Sequence, residues 1–341
     1  LDVRLGSFNL LNLRLPNRPY YSYQGYTEPE YRRKTRWLAG MFDQLRCDLL
    51  GVQEVFDEAA LQECVDRSKL MKRASVFAPH AEGDSNLPRV GLVTTLDVLD
   101  KVESTEVIPK DFQINLPGAP EMGIADYAHE NFSRPVLSAT VDIARSGRRQ
   151  IPARVYVVHL KSRRPKRLVT GDGDSLRVEE IDNPVIETRA HLRSLMIRAA
   201  ESSALRNLVL SDLHRSDMPV IVLGDFNDHV KAMTTELVTG RVMRRQRERR
   251  DIMLWHASAL QRPNALKRDL GYTKIYLDEP DSIDHILLSE QFLREGKNSL
   301  GEVLRVDYFN DHLNEKSHQF QSDHGAIRAT LLINDEADST S

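Results

Sequence analysis

Short, strand-like apolar runs recur along this chain, interleaved with stretches whose apolar residues repeat at the helical period of 3.6. Val3–Leu10, Asp48–Gln53, Val90–Thr94, Val102–Ile108, Pro135–Ile143, Ile151–His159, Pro219–Leu223, Ile283–Ser289 and Ala326–Ile333 read as strands. Glu30–Arg46 reads as a helix, with Trp37, Leu38, Met41, Phe42 and Leu45 on one face, and so do Glu58–Leu70 and Ile186–Leu208. Strands and helices alternate from end to end, with no internal repeat and no linker dividing two unlike halves. A single domain over residues 1–333 follows, with a polar inserted loop at about 161–183 and an acidic tail at 334–341.

Composition narrows the class. The chain has 341 residues, 40% of them hydrophobic and 28% charged, enough to bury a sizeable core. No apolar run reaches the roughly 18–20 residues that span a bilayer, so no stable membrane association is expected. The net charge of -3 argues against a protein that holds duplex DNA by bulk charge, but leaves room for a local basic groove. Cys47 and Cys64 are too few for a disulfide scaffold or a cysteine metal site. They read as packed or free thiols, with one disulfide left open. No signal peptide is visible, and the compartment stays open, with cytoplasmic ranked ahead of a secreted or periplasmic mature chain. A monomer is favoured.

Polar residues recur where strands end. Asn9, Glu54, His159, Asp225 with Asn227, Asp284, and Asp323 with His324 each sit at or just beyond an apolar run. One such residue is usually a satisfied hydrogen bond, because burying it unpaired is costly. A set of mixed carboxylates, amides and imidazoles points instead to a shared site at one sheet edge. Hard oxygen donors suit Mg²⁺ or Mn²⁺, with Ca²⁺ a further option, better than zinc. No zinc-hydrolase, P-loop, nucleophile-elbow or dinucleotide-binding motif is present. Carboxylates and imidazoles around such an ion are equipment for phosphoryl chemistry.

In order, FNLLNL (Asn9), GVQEV (Glu54), FSRPVL (Arg134), VVHLKS (His159), GDFND (Asp225, Asn227), SIDHILLS (Asp284) and SDHGAI (Asp323, His324) resemble the endonuclease/exonuclease/phosphatase superfamily of DNases, apurinic-site endonucleases, sphingomyelinases and inositol 5-phosphatases. The resemblance spans Val3 to about Leu332. It implies a four-layer α/β sandwich, two packed mixed β-sheets flanked by helices, in the DNase-like arrangement. It implies metal binding by Glu54 and Asp323, with Asn9 as ligand or hydrogen-bond partner. Asp225 would position or deprotonate the attacking water and Asn227 would bond the scissile phosphate. His324, oriented by Asp284, would contact the same phosphate. His159 would stabilise the transition state or protonate the leaving oxygen, and Arg134 would lie near the phosphate. Lys161, Arg163 and Arg164 follow His159 directly and are candidate substrate-backbone contacts.

The implied reaction is hydrolysis of a phosphodiester by in-line attack of water, with nucleic acid as the expected substrate. The alternatives are a phosphoesterase for a phospholipid or small metabolite, and a binding protein on an inactive enzyme fold. VLGDFND and DSIDHI depart from the inositol 5-phosphatase pattern, and no apolar membrane hairpin is evident. A tyrosine shortly before Arg134 marks some nucleases of the superfamily; Tyr127 precedes it by seven residues and is not assigned that role. Arg241–Asp251 is an arginine-rich run, and Asp172 and Asp174 belong to a flexible loop.

Overall fold

Strands with one apolar face must bury it against a second layer. In the computed structural model, residues 2–21, 23–79, 87–144, 149–171, 175–241, 250–262, 271–295, 298–315 and 320–334 are described. The strands in chain order are β1 (Asp2–Leu13), β2 (Leu49–Val55), β3 (Ser75–Phe77), β4 (Arg89–Thr94), β5 (Glu103–Val107), β6 (Ile114–Leu116), β7 (Tyr127–His129), β8 (Asn131–Asp142), β9 (Pro152–His159), β10 (Val169–Thr170), β11 (Arg177–Val178), β12 (Val220–Asp225), β13 (Trp255–His256), β14 (Lys274–Tyr276), β15 (Glu279–Asp281), β16 (Asp284–Leu288), β17 (Gly301–Phe309) and β18 (Ala326–Ile333). The helices are α1 (Glu28–Leu45), α2 (Glu58–Arg67), α3 (Pro184–Arg215), α4 (Met233–Thr239) and α5 (Ala257–Leu260).

Two six-stranded sheets result, ordered β17-β18-β1-β2-β4-β3 and β13-β16-β12-β9-β8-β5. Both are mixed. In the first, β1 and β2 are parallel and every other pairing is antiparallel. In the second, β9 and β12 are the parallel pair. The rows Val3 and Leu5, Val155 and Val157, Ile221 and Leu223, and Ile286 and Leu288 meet between the sheets. Gly51 marks a close approach there: a Cβ at that position would lie 2.9 Å from Leu223 Cβ and 3.1 Å from Val157 Cγ1. Leu38 and Phe42 of α1 and Leu61 of α2 cover the outer face of the first sheet beside Leu50 and Val52. Leu205 and Val209 of α3 cover the second, beside Tyr156, Val158 and Val222. These are the four expected layers.

The structure adds to the sequence reading in several places. β17 was not predicted; it is an edge strand whose register shifts between Val303 and Arg305, which breaks the period of two. α3 begins at Pro184, where the Asn183 side chain accepts from Val185 N at 3.1 Å, and runs on to Arg215, past the predicted Leu208. α2 stops at Arg67 because Asp43 takes the Ser68 hydroxyl (2.6 Å) and Leu70 N (2.9 Å). The stretch expected as a loop over 161–183 holds the β10–β11 ribbon, and its Glu179 is buried against Arg193 at 2.6 Å. Cys47 and Cys64 are buried free thiols, and burial pushes the Cys47 thiol up to about 12. Among the described residues no helix is long and apolar enough to cross a membrane. Asp172, Asp174, most of the arginine run (242–249) and most of the acidic tail (335–341) lie outside the described residues.

Candidate active site

Because alternate residues of a strand face the same way, the inter-sheet rows predict what stands at their ends. Ile221 and Leu223 lead to Asp225, Val155 and Val157 to His159, and Leu288 and Ile286 to Asp284. The register sets Asp225 opposite both His159 and Asp284, so three adjacent strands end in one polar row. On the other sheet, Val3 and Leu5 lead to Asn9. The Asn9 amide Nδ2 donates to Asp225 Oδ2 at 3.0 Å and to Glu54 Oε1 at 3.2 Å, which ties the two sheets together across the site. Its Oδ1 accepts from Leu11 N at 3.1 Å.

The backbone bends to make this possible. Glu54 has φ 61°, and the β2–β4 register shifts between Gln53 and Val55. The β1–β2 register shifts between Asn9 and Leu13, where Leu11 and Asn12 have φ 53° and 52°. Asn12 N then donates to Glu54 Oε2 at 3.0 Å. Such bulges re-aim side chains beside active sites, and each left-handed non-glycine residue costs about 1–2 kcal/mol. Asn227, at φ 52°, turns the chain after β12; its N donates to Asp225 Oδ1 (2.8 Å) and its Nδ2 to Leu160 O (2.9 Å).

The approach to β18 brings the last pair. Ser322 Oγ donates to Asn9 O at 2.6 Å and accepts from His324 N at 3.0 Å. His324 Nδ1 lies 2.9 Å from Asp284 Oδ2, while its Nε2 is 3.8 Å from Asp225 Oδ2 and 3.9 Å from Asp323 Oδ1. His159 Nε2 is 3.4 Å from the same Asp225 oxygen. Asp225 is thus flanked by two imidazoles and bridged by Asn9 to Glu54.

Electrostatics separates the roles. Burial pushes the Asp225 carboxyl up to about 7, with Asp284 adding and His324 opposing. Burial works against a charged His324, yet Asp284 and then Asp225 override it and hold the imidazole up at about 9. Burial keeps His159 well below its ordinary value, reinforced by the charges of Arg134, His324, Lys161 and Lys274, so it is neutral near pH 7. One imidazole is a cation and the other a neutral base, with a carboxyl poised between them. Burial opposes ionisation of Asp323, but His324 and Lys274 hold it down at about 2.

The basic residues are distributed unequally. The partly exposed Arg134 lies close enough to His159 to lower its proton affinity. Lys161 Nζ donates to the Ser162 and Arg164 carbonyls, and burial, then Arg134, pulls it down to about 8. Arg163 bridges Asp228 (3.0 Å) and Asp281 (3.1 Å) and donates to Asn227 O. It fastens the turn after β12 to the β14–β15 hairpin while leaving its side chain 47% exposed. Arg164 is exposed at the rim.

Three further residues belong here that sequence reasoning missed. Lys274, from β14, pairs with Asp323. Glu201, buried on α3, accepts from Ser133 N and Lys161 N, both at 2.6 Å, and so fixes the backbone beside Arg134 and after His159. Tyr21, between β1 and α1, lies near Arg134 and feels the charges of Glu54 and Arg164. The run YYSYQGY was a visible signal for Tyr21; Lys274 and Glu201 carry none. His285, next to Asp284, faces the other way, buried against Phe226 and His256 with Nε2 on Asp228 O at 2.9 Å.

The donor set fits a hard divalent cation. Glu54 and Asp323 offer partly exposed carboxylates, with Asn9 beside Glu54; ligand atoms of Asp225, Asp284 and His324 also lie within 4.8 Å of one another, but the charge on His324 makes that trio a hydrogen-bonded set and not the ion's ligands. Of these, the His324–Asp284 contact already has hydrogen-bond length.

No family model matches the chain, and no curated protein matches it. Solved structures do. An endonuclease/exonuclease/phosphatase from Bacteroides vulgatus superposes with TM-score 0.55 at 12% identity over 98% of this chain and 100% of its own. The mannosyl-6-phosphatase of Bacteroides thetaiotaomicron gives 0.53 at 12% identity over 97% and 100%. Truncated Caenorhabditis elegans TDP2 gives 0.53 at 13% identity over 97% of both chains. The chain therefore has the fold of the endonuclease/exonuclease/phosphatase proteins, the DNase-like α/β sandwich.

Proposed function

We propose that this protein is a divalent-metal-dependent phosphodiesterase that hydrolyses nucleic acid by in-line attack of water. The observation that carries the reading is the constellation around Asp225: one carboxylate, bridged by Asn9 to Glu54 at 3.0 and 3.2 Å, between a neutral His159 and a charged His324. The DNase-like fold supports phosphoester hydrolysis in general. Glu54 and Asp323, with Asn9 beside Glu54, would hold Mg²⁺ or Mn²⁺, which would supply positive charge against the negative charge of a phosphate.

The chain's own groups do the rest. Asp225 accepts a proton from water, for which a carboxyl poised near neutrality is well matched. His324, kept cationic by Asp284, donates Nε2–H toward a phosphate oxygen and stabilises the charge that grows there. Asn227 lies at the same edge as a further hydrogen-bonding group. His159 moves or shares the proton on the leaving oxygen. Arg134 and Arg164 hold the phosphate and its neighbour, with Lys161 and Arg163 shaping the rim.

Hydrolysis of a small sugar phosphate is the second reading, favoured by the structural match to a mannosyl-6-phosphatase. A screen of plasmid, linear duplex, single-stranded DNA, RNA, bis-p-nitrophenyl phosphate and hexose phosphates with Mg²⁺, Mn²⁺, Ca²⁺ or chelator separates the two. Metal-dependent cutting by the parent, absent in His324→Ala, is the expected result. Release of phosphate from sugars with polynucleotides untouched would overturn the first reading.

A further inference from the structure

We propose that Tyr21 forms the wall of a nucleobase subsite at the mouth of the active site, so that the protein selects nucleotides over sugar phosphates. This rests on the phosphoesterase reading and names its substrate class. Three observations carry it. First, Tyr21 is 50% exposed, whereas Tyr26 and Phe56 of the same cluster are buried. Secondly, its φ of 50° is a left-handed conformation that bulky side chains rarely adopt. Strained residues persist where surrounding structure holds them, and they gather at ligand sites. Here the ring meets Phe56 edge-on at 5.6 Å and 83°, and Tyr20 at 6.5 Å and 76°. Tyr20 and Tyr23 close the turn with reciprocal backbone bonds of 3.2 and 2.9 Å. Phe56 follows Glu54 by two residues, so the ring is fixed relative to that carboxylate.

Thirdly, Arg134, Arg164 and Glu54 all lie near the Tyr21 hydroxyl. The ring therefore reaches from the Glu54 side of the cleft to the Arg134 side. A phosphate held by Arg134 places its nearest substituent against this ring. A nucleobase presents a planar π-face there and a hexose does not. Phe56 and Tyr20 pack edge-on against the ring and hold it in place, and the half-exposed surface is what a stacked base would cover.

The test is titration calorimetry of the full chain with thymidine 5′-monophosphate and with 2-deoxyribose 5-phosphate, in chelator so that no turnover intervenes. The parent is expected to bind the nucleotide about tenfold more tightly, near the low end for one base–aromatic stack. Tyr21→Gly suits the left-handed backbone and removes the ring; it should equalise the two ligands. Tyr21→Phe keeps the ring and should keep the preference. Equal affinities in the parent, failure to bind the nucleotide, or a preference unchanged in Tyr21→Gly would each overturn the proposal. If both variants weaken both ligands alike, Tyr21 only positions Arg134 and the subsite is refuted. A protein that prefers the nucleotide yet cuts no polynucleotide keeps the subsite and loses the nuclease reading. One that cuts polynucleotides without the preference loses the subsite alone.

Discussion

Replacing Asp225 by Asn should make the metal-free protein more stable at pH 8 and no more stable at pH 4.5, while destroying activity at both. Asp225 shares a buried row with Asp284, and its carboxyl is pushed from the ordinary 3.8 up to about 7, first by burial and then by that neighbour. Between these values the folded state keeps a proton that the unfolded chain has released. Stability therefore falls as pH rises through that window. At about 1.4 kcal/mol per tenfold change in proton affinity, the full penalty above pH 7 is about 4 kcal/mol, and at pH 4.5 only about 1 kcal/mol of it has developed. Asn escapes the penalty but accepts one hydrogen bond where the carboxylate takes two, from Asn227 N and Asn9 Nδ2. That loss costs about 1–2 kcal/mol at every pH. The variant is then level with the parent or about 1 kcal/mol less stable at pH 4.5, and about 2 kcal/mol more stable at pH 8. Urea midpoints in chelator at the two pH values read the difference directly. Phosphodiesterase activity should fall by about three orders of magnitude, since the acceptor of the water proton is gone. A stability difference that does not change with pH, or a parent that outlasts the variant at pH 8, would refute the reasoning.

Other perturbations follow from the same geometry. Asp284→Asn should drop the His324 pKa from about 9 to below 6.5, because burial is then opposed by Asp225 alone; NMR titration of the imidazole checks this. The sign is fixed: a raised histidine pKa stabilises the fold below 6.5, and that stability is lost as pH climbs through about 9, so the variant should lack this alkaline loss. Glu201→Ala leaves two partly buried N–H groups unpaired and should cost about 2 kcal/mol in urea unfolding; Glu201→Gln, keeping one acceptor oxygen, should cost about half. Lys274→Met removes the cation paired with Asp323, and calorimetric Mn²⁺ affinity should rise about fivefold to tenfold; unchanged affinity would mean that Asp323 does not hold the ion.

Much of this architecture was legible because the strands obey one rule. Strands such as Val155–His159 and Val220–Asp225 are apolar on both faces up to their last residue, so the polar residue that completes the run announces both the strand and the sheet edge where it ends. The rule fails where the backbone slips. β17 hid because its bulge at Val303–Arg305 and its exposed Arg305 scramble the period. The sequence reading ends α3 at Leu208 because Ser211, Asp212 and His214 crowd its last turns, although Val209 and Leu213 continue its buried face. Lys274 and Tyr21 reach the site only through a hairpin and a turn whose placement is a tertiary fact. The bulges at Glu54 and Asn12 were equally invisible, yet they aim the Glu54 carboxylate.

The pairing of β1 with β18, Asp2 opposite Leu332, bears on how the protein is made. Strands β5 to β16, between Glu103 and Leu288, complete the second sheet within one continuous stretch, while the first sheet takes strands from both ends of the chain. During synthesis, Asn9, Glu54, His159 and Asp225 all leave the ribosome before Ser322 and His324. Until those last residues emerge, Asn9 lacks its backbone clasp from Ser322 and Asp284 lacks its imidazole. A chain interrupted before Ser322 would lack both contacts however well its second sheet had folded. On the proposed function, the centre is assembled only when β18 pairs with β1, so its chemistry waits on synthesis beyond His324.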